Sequence, residues 1–167
     1  MNDHTLEWVN KQMRVLAILG GILSVVHPEL YSAGIAALKT MHKNLQSIHK
    51  GDRLPAVLKV WSLPFTAITA ISNRDTPYHQ DNGSAHPWFD ILLTVGNYKN
   101  GRMELPGLGI RFKYDPGTVV ALVGWVVQHG ASCPGDRACI EYHMRKNVIE
   151  ELGIQGPSWV NESIYFQ

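Results

Sequence analysis

The sequence predicts an α+β fold: a β jelly roll (a double-stranded β-helix, cupin-like) with N-terminal helices packed on one of its sheets. Apolar residues recur at helical spacing over the first third of the chain. From residue 56 onward the spacing shortens to that of strands, and turn signals recur roughly every 8–12 residues, as in a sandwich or barrel. We therefore expect a single domain over residues 1–167, with a helical layer at 5–50, the jelly roll at 56–147 and a C-terminal tail at 148–167.

Two helices are predicted in the helical layer. The first spans 6–23, and the second opens at Pro28, a residue that the first turn of a helix tolerates. Apolar side chains at helical spacing mark the side of each helix that packs into a core. In the first helix they are Leu6, Val9, Met13, Leu16 and Leu19, and in the second Leu30, Ile35, Leu38, Met41 and Leu45.

Short apolar segments separated by turn residues predict the strands of the jelly roll. An Asn100-Gly101 step and the segment Asp115-Pro-Gly are the clearest turns. The expected strands lie at 57–61, 66–71, 88–95, 103–105, 109–112, 119–123, 126–129 and 137–144.

The composition is that of a globular chain. Of the 167 residues, 45% are apolar and 17% are charged, which excludes a disordered protein and permits a sizeable core. The net charge is +1. A protein that binds duplex DNA by charge alone is usually more basic, so a nucleic-acid partner must be argued from the site.

Targeting signals and cysteines suggest an intracellular protein without a membrane segment. The N-terminus lacks the pattern of a signal peptide, and the apolar run at 15–26 is shorter than the ~20 residues that span a bilayer. Cys133 and Cys139 are expected to be free thiols in a reducing compartment. Their spacing to His143 is not a usual zinc pattern.

His79 and Asp81 are candidate metal ligands. In an extended segment, residues two apart point to the same side, so an imidazole and a carboxylate converge. The pair alone is a weak signal, because a surface histidine beside a turn aspartate is common.

His129 can complete a metal site. It follows an apolar segment, and two histidines with one carboxylate form the facial triad that leaves coordination positions open on Fe(II). Zinc is the rival metal, but the helical hydrolase motifs that usually carry such zinc ligands are absent from the sequence. A histidine at the edge of the core, bonded to backbone, is the alternative for His129.

Arg137 is the fourth candidate. It lies eight residues beyond His129, at the start of the last long strand. If the two strands are antiparallel neighbours, both side chains point into one barrel mouth. A buried guanidinium there would bind a dicarboxylate. The alternative is an exposed arginine after the Gly135-Asp136 turn.

The segment from Pro77 to Asn147 resembles the fungal branch of the Tet/J-binding-protein family of Fe(II)- and 2-oxoglutarate-dependent dioxygenases. The resemblance covers most of the β region, with its motifs in the family's order. The motifs are His79-Gln-Asp81, Trp88-Phe-Asp-Ile-Leu-Leu-Thr-Val-Gly-Asn-Tyr, Gly101-Arg-Met-Glu-Leu-Pro-Gly-Leu-Gly109-Ile-Arg, Tyr114-Asp-Pro-Gly-Thr-Val-Val, Gln128-His-Gly and Gly135-Asp-Arg-Ala-Cys-Ile.

The resemblance implies a role for each candidate. His79, Asp81 and His129 would hold Fe(II), and Arg137 would bind the distal carboxylate of the co-substrate 2-oxoglutarate, with O2 as the second co-substrate. A residue near the far end of the last strand meets the target base in family members that act on DNA. Here His143 and Arg145 fall in that region.

The implied reaction is oxidation of 5-methylcytosine, or a related 5-methylpyrimidine, to its 5-hydroxymethyl form in nucleic acid. The methylated base would be flipped out of the stack, so a nucleic-acid partner and a nuclear location are expected. Two alternatives stay open. One is the same chemistry on a protein side chain or small molecule, which the near-neutral charge leaves open. The other is a non-catalytic jelly-roll binding module.

Overall fold

The computed structural model describes residues 3–44 and 54–160. The chain divides into two units. Among the described residues, one unit comprises 3–44, 54–66 and 147–160, and the other comprises 67–146. The first is helical and the second is built from strands.

The helical unit begins with a broken helix. Helix α1 (Asp3–Lys11) and helix α2 (Met13–Val26) replace the single helix predicted over 6–23, with a bend of 61° between them. Within the described ranges, no single helix is both long and apolar enough to cross a bilayer, and α1 and α2 meet that test only when joined across their bend.

Helix α3 (Pro28–Lys43) begins at the predicted proline, but its buried side differs from the predicted stripe. Leu30 is buried as expected, whereas Ile35, Leu38 and Met41 are only half-buried. Small residues replace them at the buried positions, which allows the backbone of α3 to approach α2 closely. The buried residues are Leu30, Ala33, Gly34 and Ala37. Leu45 lies outside the described residues.

The strand predicted over 57–61 is wrong, because this segment forms helix α4 (Leu54–Val60). Pro55 lies in its first turn, where its fixed φ suits a helix, and Leu58 is the buried residue. A short apolar run does not distinguish a buried strand from a helical turn. Helix α5 (Lys146–Glu151) follows the last strand.

Two antiparallel sheets form the β unit, which confirms the predicted α+β class. In its described part they contain β1 (Ala67–Ser72), β2 (Thr76–His79), β3 (Asp90–Tyr98), β4 (Arg102–Leu105), β5 (Ile110–Lys113), β6 (Val119–Leu122), β7 (His129–Ser132) and β8 (Gly135–His143). The first sheet has the order β1-β8-β3-β6 and the second β2-β7-β4-β5. Residues from both sheets, among them Leu92 and Met103, share one apolar cluster with Tyr114, which follows β5.

The strand predicted over 126–129 is also wrong. The backbone N–H groups of Val126 and Val127 both donate to Val123 O, so this segment is a turn and β7 starts only at His129. The remaining predicted strands exist with shifted ends. The last one is β8, and its inward side carries alternate residues: Arg137, Cys139, Glu141 and His143.

Strands β7 and β8 are not the antiparallel neighbours that the sequence suggested. Strand β7 pairs with β2 and β4, whereas β8 pairs with β1 and β3 in the other sheet. Cys133 and Pro134 carry the chain from one sheet to the other. Proline has no N–H for a ladder, and the Cys133 N–H donates instead to Asp75 Oδ1 at 3.1 Å.

Candidate metal centre and adjoining cavities

His79, Asp81 and His129 meet at one end of the second sheet. His79 on β2 is directly opposite His129 on β7, and their ring centroids are 4.3 Å apart. His79 Nε2 lies 3.3 Å from Asp81 Oδ1, and His129 Nε2 lies 3.4 Å from Asp81 Oδ2. One ligand atom from each residue falls within 4.8 Å of the others, so the three could hold a metal ion.

Both imidazoles are held in the same tautomer by the backbone two residues earlier. His79 Nδ1 is 2.9 Å from Pro77 O, and His129 Nδ1 is 2.9 Å from Val127 O. Because a carbonyl oxygen only accepts, each Nδ1 must carry the proton and donate it. Each Nε2 of a neutral ring then directs a lone pair toward an oxygen of Asp81. A cation between these atoms would satisfy all of them.

The segment that carries Asp81 is tethered to the turn before β7. The Asp81 N–H donates to Gly124 O at 2.9 Å, and Gln80 Nε2 donates to Val126 O at 2.9 Å. The β2–β7 register shifts between Thr76 and His79, an irregularity that re-aims a side chain at a strand end. The fold thus places both histidines and the aspartate from two segments bound to each other.

Gly124 leaves room for the carboxylate of Asp81. A Cβ at this position would lie 2.3 Å from Asp81 Oδ2 and 2.7 Å from Asp90 Oδ2, both closer than atoms can approach. Sequence reasoning missed this residue. A glycine that interrupts an apolar run signals close backbone approach, and that pattern is visible at 119–127.

Arg137 is buried, with 4% of its surface exposed, and neutral groups hold it. Its Nε donates to Thr94 Oγ1 at 3.3 Å, its Nη1 donates to Arg74 O at 3.3 Å, and its guanidinium lies 5.1 Å above the Tyr114 ring. Among the described residues, no carboxylate forms an ion pair with it. A buried cation without an anionic partner suits an anionic ligand.

A narrow slot of about 30 Å³ joins Arg137 to the three candidate metal ligands. Leu92 and Met103 form its apolar wall, while Tyr114 and Cys139 line the Arg137 end. Burial raises the pKa of Tyr114, so its hydroxyl stays neutral. Although β7 and β8 lie in different sheets, His129 and Arg137 therefore line one cavity, as the sequence suggested on other grounds.

A second cavity of about 350 Å³ opens on the other side of Asp81. His143 and Arg145, the two predicted substrate residues, both line it. His143 is 4% exposed, whereas Arg145 is exposed at the rim. The other lining residues are Thr69, Asp81, Asn82, Gly83, Ser84 and Glu141.

Two carboxylates that sequence reasoning missed border Asp81. Oxygens of Asp90 and Glu141 lie within 4.8 Å of one another and of Asp81. Ser84 Oγ donates to Asp90 Oδ1 at 2.6 Å, and burial raises the pKa of Asp90 to about 7. A lone acidic residue at an inward position of an apolar strand was the available signal for Glu141.

The family comparison gives a match over most of the chain. A model of the Tet/JBP family, described as the oxygenase domain of the 2OGFeDO superfamily, matches residues 2–146. No protein of curated function matches the chain.

Among solved structures, the chain is similar to NgTET1 in complex with 5mC DNA. The two share 18% sequence identity with a TM-score of 0.55, over 92% of this chain and 55% of that one. The chain thus spans little more than half the length of this relative. At this identity the similarity shows the fold, and it confirms the predicted double-stranded β-helix.

Proposed function

The chain belongs to the Tet/JBP family of Fe(II)- and 2-oxoglutarate-dependent dioxygenases, and from this premise we propose that it oxidises the methyl group of 5-methylcytosine, or of a related 5-methylpyrimidine, in nucleic acid. The product is the 5-hydroxymethyl base. Membership confirms the predicted family and reaction class, with Fe(II) as the cofactor and 2-oxoglutarate and O2 as co-substrates. Its fungal branch stays a prediction.

The proposed iron ligands are His79, Asp81 and His129. The observation that supports this assignment most strongly is the matched orientation of the two imidazoles. Each donates Nδ1–H to a carbonyl and turns Nε2 toward a different oxygen of Asp81. Two histidines and one carboxylate on one side of an ion leave positions open for co-substrates.

Arg137 is proposed to bind the distal carboxylate of 2-oxoglutarate through its guanidinium. Thr94 Oγ1 and the Tyr114 ring fix the orientation of this group in the slot. When bound, Fe(II) with 2-oxoglutarate and O2 supplies an oxidative decarboxylation to succinate and CO2 that delivers one oxygen atom to a substrate C–H bond. Leu92 and Met103, which form the apolar wall of the slot, would shield the bound co-substrate from water.

The 350 Å³ cavity is proposed to receive the substrate base. Its volume falls within the roughly 300–1,000 Å³ of small-molecule pockets. A base can reach such a cavity only after leaving the stack. His143 would contact the base, and Arg145 at the rim would contact a phosphate. A nucleic-acid substrate of this kind also implies the nucleus as the expected location.

The decisive experiment uses the whole chain, loaded anaerobically with Fe(II) and 2-oxoglutarate. Oxygen and an oligonucleotide that contains 5-methylcytosine are then added, and mass spectrometry quantifies bases and succinate. We expect 5-hydroxymethylcytosine and succinate to form together. Succinate without base oxidation would contradict the proposed substrate. Absence of succinate would contradict the assigned iron and co-substrate residues.

A cationic protein side chain is the second candidate substrate, because two carboxylates, Asp81 and Glu141, line the cavity, and Asp90 lies within 4.8 Å of both. A peptide that carries a methylated lysine belongs in the same assay. Oxidation of that peptide with no base oxidised would favour a protein substrate.

A further inference from the structure

We propose that Glu141 selects cytosine-type over thymine-type bases by accepting a hydrogen bond from the exocyclic amine of the target base. This inference rests on the proposed function and names the residue that decides which 5-methylpyrimidine is oxidised. Glu141 is not among the residues that the sequence pattern singled out, and its role follows from its position, its neighbours and their unsatisfied atoms.

Strand alternation places Glu141 between the two cavities. On β8 it shares the inward side with Arg137, four residues earlier, and with His143, two residues later. It lines both the slot and the substrate cavity, and so does Asp81. Across the sheet it is opposite Thr69 and Leu92, which line one cavity each. A base that enters the larger cavity therefore meets Glu141 beside the proposed iron ligand.

The surroundings of Glu141 are rich in carboxyl oxygens. Its carboxylate lies within 4.8 Å of oxygens of Asp81 and Asp90. Asp90 is 1% exposed, and its Oδ2 accepts no hydrogen bond from any described residue. Unsatisfied buried acceptors are costly. A ligand that brings N–H donors would relieve this cost.

His143 is a second unsatisfied group at the same place. Its Nδ1 lies 3.1 Å from Glu141 Oε1 but has no hydrogen-bond geometry with any group in the described ranges. The ring is 4% exposed and lines the substrate cavity. A buried imidazole nitrogen without an aligned hydrogen bond, beside an acidic cluster, indicates a polar ligand that completes the arrangement.

The chemistry of the two candidate bases decides between them. 5-Methylcytosine and thymine carry the same methyl group at position 5 and differ at the adjacent position 4, which is an amine in the first and a carbonyl in the second. A carboxylate accepts well from the cytosine amine but opposes the thymine carbonyl with a second acceptor. Because position 4 neighbours the reacting methyl group, its reader must lie beside the iron ligands, and Glu141 does.

The test compares two oligonucleotides that differ only in 5-methylcytosine or thymine at one position. We expect the wild-type chain to oxidise 5-methylcytosine with a kcat/KM roughly 10- to 100-fold higher. Glu141→Gln keeps the shape of the side chain but adds an N–H donor that can turn toward the thymine carbonyl. We expect this variant to lower the ratio between the two bases about 10-fold or more.

The ratio between two substrates in one variant is insensitive to a general loss of activity. The matched control is Glu151→Gln, the same change at an exposed position of α5, which should keep the wild-type ratio. Succinate release without substrate checks that each variant is folded and uses 2-oxoglutarate.

A third base tests the same hydrogen bond in the wild-type chain, so that the result does not depend on a substitution in the protein. 5-Methylcytosine with two further methyl groups on its amine has no N–H to donate, and the wild type should discriminate against it as strongly as against thymine. Oxidation of all three bases at equal rates, or an unchanged ratio in Glu141→Gln, would overturn the role of Glu141 while leaving base oxidation intact. Oxidation of none of them would overturn the proposed function and this inference together.

Discussion

The inward side of β8 carries a polar residue toward each of its ends, Arg137 and Glu141. The two ends differ in how the polar atoms around these residues are hydrogen-bonded. At one end, the chain itself supplies partners for Arg137: Thr94 Oγ1, Arg74 O and the ring of Tyr114. At the other end, beside Glu141, His143 Nδ1 and Asp90 Oδ2 have no hydrogen-bond partner within the described ranges. Arg137, His143 and Asp90 are all buried, and within the described part of the chain only the second end leaves such polar atoms without a hydrogen bond.

The Arg137 end is also braced by groups behind it. Thr94 Oγ1 and Tyr98 OH are 2.6 Å apart, and Tyr98 OH donates to Tyr114 O at 2.7 Å. The arginine and its supports therefore hold their geometry before any ligand arrives, as suits an invariant co-substrate. The Glu141 end depends on a ligand to complete its hydrogen bonds, as suits a site that discriminates between substrates. The proposed iron site lies between the two ends.

The largest effect is expected from the residue that both ends share. Asp81→Ala removes the carboxylate that faces both imidazoles, and it should lower succinate release at least about 100-fold while the chain stays folded. Iron content and succinate are the measurements. Asp136→Ala, at an exposed position of β8, is the matched control. Unchanged succinate release in Asp81→Ala would exclude the proposed iron site.

Arg137→Lys tests whether the two ends act independently. Lysine keeps the charge but loses the forked geometry, so the KM for 2-oxoglutarate should rise roughly 10- to 100-fold. Iron affinity and the preference between bases should change little. Arg102→Lys, an exposed substitution on β4, serves as the control. A shift in base preference as large as the shift in KM would show that the two ends are not separate.

Local patterns identified His79, Asp81 and His129 as candidates, and the family resemblance assigned them to iron. The i, i+2 rule placed His79 and Asp81 on one side of an extended segment, and the structure brings them to His129. Arg137 was correctly predicted to share a cavity with His129, but the reason given was wrong. The prediction assumed that β7 and β8 are neighbouring strands, whereas they lie in different sheets. Strand pairing is set by contacts far apart in sequence, which a local pattern does not contain.

The residues that the sequence did not reveal depend on such distant contacts. The local sequence around Asp90 or Glu141 does not by itself indicate a site. The two residues come close to Asp81 only because β3 and β8 pair in the folded chain. Gly124 is required only because the Asp81 segment passes over it. The prediction of a strand at 57–61 was wrong for a local reason. Four apolar residues fit a strand and a helical turn equally well, and Pro55 in the first turn favours the helix.

A smaller effect is expected from Gly124→Ala. The added Cβ would displace the carboxylates of Asp81 and Asp90, and we expect Fe(II) affinity to fall about 10-fold. Gly107→Ala is the matched control in the same unit, because a Cβ there meets nothing within 4 Å. Titration with Fe(II) under anaerobic conditions measures both. Equal affinities in the two variants would contradict the steric role of Gly124.

The smallest effect concerns the thiols, of which Cys139 lines the slot beside Arg137 and Cys133 does not. Both are free and buried, and burial raises the pKa of each. A raised pKa leaves less thiolate at a given pH, so alkylation at pH 8 should be about 10-fold slower in the native chain than in urea and should accelerate only at higher pH. Adding 2-oxoglutarate with Fe(II) under anaerobic conditions should slow the alkylation of Cys139 further and change that of Cys133 much less. Mass spectrometry of alkylated peptides separates the two sites. Equal protection of both thiols would mean that the co-substrate tightens the whole β unit, whereas protection of Cys139 alone places its distal carboxylate at the Arg137 end.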